Sequence, residues 1–417
     1  MERKRLLPKL FFRTPLESNP DRSSKGQPQI HAAVLLLAMA AVTLTKGITS
    51  LLSREAGWNT VSASSSTENC GSEFVFKYYF EGRETAVSAE YKKLSRQYSE
   101  ICENAYRLFS NGAEFDGVNN VKYINLHPNE EINVDSVLYN AFSLLAKYEN
   151  RDIYLAPVYE CYSSVFASQT DIEAKSADPL FAPEVKSFID SVTRFTKNAD
   201  DICLKLLGDN TVKLCVSEDY LSFAKENEIS SFIDFYRLKN AFIADYIAEE
   251  LVSAGYKKGN ISSFDGFTRN LDDSDTEYSL KIIDKRDSAS LPLEAAVMDY
   301  KGDLAIVYFK AFRLSDLDAM YCFLYENGES RTAYINSDGE SKTANNMLVA
   351  FSKELGCAEI LLNTSPYYIA ESFGEEQASA LKNDGVFTVW CSENTVNCTC
   401  SDVSFSAVLN GYTVKNF

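Results

Sequence analysis

The stretch IDFYRLKNAFIADYIAEELVSAGYKKGNISSFDGFTRNL, Ile233–Leu271, decides how the chain is read. Phe242, Ile243, Ile247, Leu251 and Val252 supply the apolar positions of a helix over Leu238–Ala254, with Ile243, Ile247 and Leu251 at steps of four. Gly255 stands where a C-cap glycine belongs. Toward the N-terminus, Tyr91, Leu94, Tyr98, Ile101, Ala105 and Leu108 alternate steps of three and four, which marks another amphipathic helix behind a strand-like FVFKYYF (Phe74–Phe80). A third helix is expected from about Val134 to Tyr148, with Asp135 favouring its positive N-terminal end.

Short β-branched or aromatic runs predict strands at Val212–Val216, Tyr278–Ile283, Leu304–Phe309, Met347–Phe351 and Val386–Trp390. Helices and strands mix without a regular βαβ alternation and without a repeat, so the fold class is α+β. The Asp/Ser-rich segment Asn270–Thr276 reads as a solvated loop that bounds two lobes.

Four hundred and seventeen residues, 45% hydrophobic and 24% charged, make two or three core-forming units and exclude collagen, disorder and a knottin-like scaffold. The 41 basic against 59 acidic side chains leave a charge of −18, which opposes nucleic-acid binding. Residues 1–29 run the other way, with Arg3, Lys4, Arg5, Lys9, Arg13, Arg22 and Lys25 against three acids. They precede the apolar run Ile30–Leu52, whose length is near the ~20 residues a bilayer crossing needs.

A retained signal anchor, a cleaved signal peptide and a buried core helix compete for that run. The basic flank disfavours the core helix, and so long a basic segment disfavours a signal peptide. The expectation is a basic cytoplasmic tail (1–29), a transmembrane signal anchor (30–52), a Ser-rich linker (53–72) and an extracytoplasmic domain (73–417). The ten cysteines, all in Cys70–Cys400, permit disulfides or a reduced state, and with two histidines in the chain a Cys/His zinc site is not expected.

No GxSxG, Walker, GxGxxG or HExxH pattern occurs, so the usual signatures of serine hydrolases, P-loop NTPases, Rossmann enzymes and zincins are missing. His127, just before a proline, reads as a loop residue. In CAEILLNTSPYY, Glu359 and Asn363 are four apart, so a helix presents them on one face as a carboxylate and an amide oxygen. Such hard oxygen donors suit Mg²⁺ or Ca²⁺; the bland alternative is a polar helix edge.

Across Ile233–Leu271 the chain resembles the ApbE-like FAD:protein FMN transferases. That family carries a segment close to D-L-G-G-I-A-K-G-Y-A-V-D, followed by a helix, a glycine, a strand and a Gly-Gly turn. Asp234 and Asp245 stand at the matching interval, Phe242 takes the aromatic position and Asp265-Gly266 falls at the turn. YSEICENAY (Tyr98–Tyr106), RDIYLAPV (Arg151–Val158), YINSDGES (Tyr334–Ser341) and CAEILLNTS (Cys357–Ser365) follow the family's order, so the resemblance spans about Phe74–Phe373.

The resemblance implies a two-lobed domain of mixed sheets and helices. In that family FAD lies between the lobes with Mg²⁺ on the pyrophosphate, and FMN passes to a Thr or Ser of an exported acceptor flavoprotein, so the same is expected here. It places Glu359, Asn363 and the backbone carbonyl of Arg237 around the metal. Asp152, Asp234, Asn240, Asp265 and Gly266 fall at the FAD site, and Lys239 and Asn336 at catalytic positions. The departures fall on the chemistry: the family's Gly-Gly is Tyr236-Arg237, its Lys is Asn240, and its His has no counterpart near Thr332–Tyr334. They raise the alternative of a non-catalytic, membrane-anchored protein that holds flavin or a flavoprotein on the same fold.

Overall fold

The computed structural model describes residues 55–417 apart from 273–275 and 288–289. At its centre nine strands lie side by side in chain order: β1 (Gly57–Val61), β2 (Phe74–Phe80), β3 (Gly259–Ser263), β4 (Phe267–Asn270), β5 (Ala305–Lys310), β6 (Met347–Ser352), β7 (Phe387–Ser392), β8 (Thr395–Cys398) and β9 (Thr413–Asn416). Neighbours are antiparallel except β8 and β9.

Successive strand residues point to opposite faces, and both faces are covered. In β5, Val307 and Phe309 enter one core while Ile306 enters the other. In β6, Leu348 and Ala350 oppose Met347, Val349 and Phe351, so every residue of that strand is buried. On the first face lie α1 (Glu84–Phe109), α3 (Lys239–Ser253) and α4 (Cys357–Tyr368). The second face carries a smaller antiparallel sheet of Glu277–Asp284, Leu293–Lys301 and Ser404–Val408.

The chain between α1 and α3 forms a mostly helical insertion. It includes α2 (Ala156–Phe166), a three-stranded sheet of Glu131–Asn133, Ile202–Gly208 and Thr211–Val216, and a core in which Val158, Tyr162, Ile189 and Val192 meet Phe323, Tyr325, Ala333 and Ile335. The α+β class is as expected, and the expected helix at 134–148 is Ser136–Lys147, capped by Asp135 through Val137 N at 2.8 Å.

Two expectations are corrected. The stretch 53–72, expected as a linker, contains β1, which pairs along its whole length with β2 and buries Val61. The serines that follow are held by hydrogen bonds: Ser95 Oγ donates to Ser62 O (2.7 Å) and Ser64 N donates to Ser99 Oγ (2.8 Å). The serine side chains are exposed, as their composition suggests, but their backbone is tethered to α1. The loop expected at Asn270–Thr276 starts inside the fold, since Asn270, Leu271 and Asp272 are buried. The expected tail and span at 1–52 lie outside the described residues, and among those described no helix is long and apolar enough to cross a membrane. All ten cysteines are free thiols.

Candidate functional site

A cavity of about 700 Å³ opens where the C-terminal end of α1 meets α2 and the segment leading into α3. Its wall is mostly apolar, with the aromatic rings of Tyr106, Phe109, Phe166, Tyr236 and Tyr321, and its polar groups include Asp234, Lys239 and Asn111. That size and mixture suit an extended organic ligand.

A network of asparagines sets the segment 232–234. Buried Asn125 accepts from Phe232 N (2.8 Å) and Ile233 N (2.9 Å), donates to Ile233 O (2.8 Å), and donates to Asn111 Oδ1 (2.8 Å). Asn111 Nδ2 then donates to Asp234 Oδ2 at 2.9 Å, while Asp234 Oδ1 accepts from Tyr236 N at 2.8 Å. The Asp234 carboxylate is thereby fixed at the cavity wall. Lys239, one turn later, is held by Glu73 at 3.0 Å.

Tyr236 occupies the first position of the family's Gly-Gly and adopts φ +43°, the left-handed region that glycine normally takes. The backbone turn thus has the shape a glycine favours, and a tyrosine fills it. Its ring stacks on Tyr159 with centroids 4.4 Å apart and planes 14° apart. Its hydroxyl is buried beside Ser163 without a well-formed hydrogen bond among the described residues, and burial pushes the phenol up to about 12, so it stays protonated and able to donate.

Behind this wall Asn240 Nδ2 donates to Asp265 Oδ2 at 3.1 Å, leaving Asn240 Oδ1 and Asp265 Oδ1 buried and unpartnered among the described residues. Burial pushes the Asp265 carboxyl above its ordinary value. The turn at Asp265-Gly266 requires its glycine, because φ is +109° and a Cβ there would lie 2.4 Å from the Tyr308 carbonyl oxygen. Asp152 begins the turn Asp152–Leu155, where Asn150 Nδ2 donates to it at 3.1 Å; burial raises its carboxyl too. It is not among the cavity's lining residues.

Of the expected metal residues, Glu359 and Asn363 are brought together, with Asn363 Nδ2 donating to Glu359 O at 3.1 Å. Glu359 and Asn363 share a face of α4 as their spacing predicts, but that face meets Lys147 and Tyr148. Lys147 Nζ lies 2.9 Å from Glu359 Oε1, Tyr148 donates to the same oxygen at 3.3 Å, and Asn363 Nδ2 donates to Tyr148 Oη at 3.2 Å. The Arg237 side chain, as distinct from the backbone carbonyl expected at the metal, meets α4 at Ser365 through Nη2–Oγ, 3.4 Å. Ser365 is two residues beyond Asn363, hence about 200° around the helix. A cation that demands near-octahedral oxygen geometry does not fit a carboxylate already bound to an ammonium, and among the described residues no three His, Cys, Asp or Glu side chains converge.

Asn336 is likewise spent locally: its Oδ1 accepts from Asp338 N and Glu340 N, both at 2.9 Å, in an exposed turn. His127 closes the short helix Val121–Leu126 with its ring nitrogen 2.8 Å from Tyr123 O. Asn111, Asn125, Tyr159 and Tyr321 had no local signal in the sequence, because each acts through a partner distant along the chain.

No protein-family model matches the sequence, and none of the curated proteins does either. The fold, in contrast, is similar to that of the ApbE protein of Thermotoga maritima, at 12% identity and a TM-score of 0.54, covering 81% of this chain and 94% of that one. The flavin transferase ApbE of Vibrio cholerae aligns at 13% identity and a TM-score of 0.49, over 85% of this chain and 98% of that one. The chain therefore has an ApbE-like fold.

Proposed function

We propose that this protein is a flavin-handling protein of the FMN-transferase fold that holds FAD, or the flavin of an exported partner flavoprotein, in the 700 Å³ cavity. The observation that carries the reading is the cavity's construction: aromatic rings suited to a planar tricyclic ring, beside a fixed carboxylate, a lysine and a buried phenol hydroxyl. The ApbE-like fold and the order of the motif-like segments single out flavin among planar ligands. The charge pattern of residues 1–52 supports work at the outer face of the cytoplasmic membrane.

Magnesium-assisted transfer is not what the Glu359 side chain serves, since it is paired with Lys147. A second reading, transfer of FMN from FAD to a Thr or Ser hydroxyl of the exported acceptor, is favoured by Lys239, a cation in the cavity wall beside Asp234. Incubating the full-length protein with FAD, Mg²⁺ and a Thr-containing acceptor peptide separates them. Bound flavin with no AMP is expected; AMP release with covalent flavin on the peptide establishes the second reading.

A further inference from the structure

The antiparallel hairpin of Ile202–Gly208 and Thr211–Val216 turns at Asp209-Asn210, both with positive φ, and sets Cys203 directly opposite Cys215. The ladder shows which kind of pair this is. Ser217 N donates to Asp201 O at 2.9 Å, whereas Leu204 turns its N–H away from the hairpin, to Tyr154 Oη at 2.8 Å. Hydrogen-bonded pairs recur at every second residue, so Asp201/Ser217 is followed by Cys203/Cys215. Opposed Cα atoms at such a pair lie about 5.5 Å apart, inside the range of about 4.4–6.8 Å that a disulfide spans. The register shift of this hairpin falls beyond the cysteines, between Leu206 and Gly208.

Directly opposed side chains leave a sheet on the same face, and here it is the less covered one. Ile202, Val212, Leu214 and Val216 are buried, while Cys203 and Cys215 are half-buried, with their thiols within hydrogen-bonding reach of one another. Burial raises the Cys203 thiol and its neighbour Cys215 adds to the rise, against Lys205 and Arg151, so the pair rests as thiols and reacts slowly at neutral pH. Apart from these two and Cys161, every cysteine is buried.

We propose that Cys203 and Cys215 form a redox-active dithiol, a modification site that closes to a disulfide by exchange with a disulfide-bearing oxidant. One thiolate attacks a sulfur of the oxidant and expels its other half as a thiol. The second thiolate then attacks the mixed disulfide, which forms the Cys203–Cys215 bond and releases the remaining half. The dithiol gives up two electrons and two protons, and the oxidant leaves as two thiols. The bond ties an edge strand of the insertion's sheet to its middle strand. It does not depend on the flavin reading above, so either can fail alone.

The test is incubation of the folded full-length protein with oxidised glutathione, then alkylation of the remaining thiols in urea and peptide mapping by mass spectrometry without reduction. The expected product joins the tryptic peptides Asn198–Lys205 and Leu214–Lys225, has lost two alkylatable thiols and carries no glutathione at either position. In Cys203→Ser the second step is removed, so one glutathione is expected to stay on Cys215. Glutathione retained on both cysteines of the wild type overturns the proposal, as does a link from either to a third cysteine or a pair that stays reduced. The wild-type map decides even if the variant does not fold.

Discussion

Lys147 Nζ lies 2.9 Å from Glu359 Oε1, so the carboxylate expected to hold a cation is already the partner of an ammonium from another helix. The pairing also raises the Lys147 pKa, chiefly through its hydrogen bond to Glu359. Glu359→Gln is therefore expected to leave FAD affinity within about twofold, with or without Mg²⁺. The cost in stability is small, because the lysine is largely exposed. Titration with FAD in the presence and absence of Mg²⁺ checks this, and loss of a Mg²⁺-dependent signal in the variant contradicts it.

Tyr236 combines a left-handed backbone with a buried hydroxyl that lies beside Ser163 and completes no well-formed hydrogen bond among the described residues. Tyr236→Phe keeps the stack on Tyr159 and removes the orphaned donor, so a gain of about 1 kcal/mol is expected in urea unfolding. If the hydroxyl serves a bound ligand, the same variant binds FAD more weakly. A more stable protein that binds less well is the expected pair of results.

Gly266 and Gly302 both have positive φ, +109° and +87°, but only Gly266 has a neighbour where a Cβ would go. Gly302→Ala is expected to cost about 1 kcal/mol from backbone strain alone. Gly266→Ala adds the clash with the Tyr308 carbonyl oxygen and is expected to cost about 3 kcal/mol. Equal losses in the two variants would remove the argument that this turn is set by close backbone approach.

Asp265 carries a pH signature. In the unfolded chain its carboxyl titrates near 3.8, and in the fold burial raises it. The folded state then holds the proton to higher pH, so stability falls as pH rises from 3.8 through the folded value. Above that value the penalty is constant, and below 3.8 it is absent. Asp265→Asn keeps an acceptor for Asn240 and removes the charge, so it is expected to stabilise at about pH 7 and to do little at about pH 4, measured by urea unfolding at both.

Much of the scaffold is legible in the sequence, because amphipathic helices and buried strands carry their own periodicity. Tyr91 to Leu108 mark α1, Phe74–Phe80 is β2 residue for residue, and Met347–Phe351 falls in a strand buried on both faces. The stretch 53–72 carries no strand signal because β1 is an edge strand whose pairing comes from β2 rather than from its own composition.

The site was legible only in part. Asp234, Lys239 and Tyr236 come to the cavity wall from one segment, as their proximity in sequence allows. Glu359 and Asn363 share a face as predicted, but which neighbour that face meets is a tertiary fact with no trace in the spacing. The same holds for Asn125, whose four hydrogen bonds to positions far along the chain make it central to the wall while its local sequence, NLHPNEE, looks like a loop.

The central claim is that the 700 Å³ cavity holds a flavin, and equilibrium titration of the full-length protein with FAD in EDTA tests it most directly. Saturable binding of one FAD per chain, with flavin fluorescence quenched by stacking on the tyrosines of the wall, is the predicted result. Absence of saturable binding, with EDTA or with Mg²⁺, would contradict it.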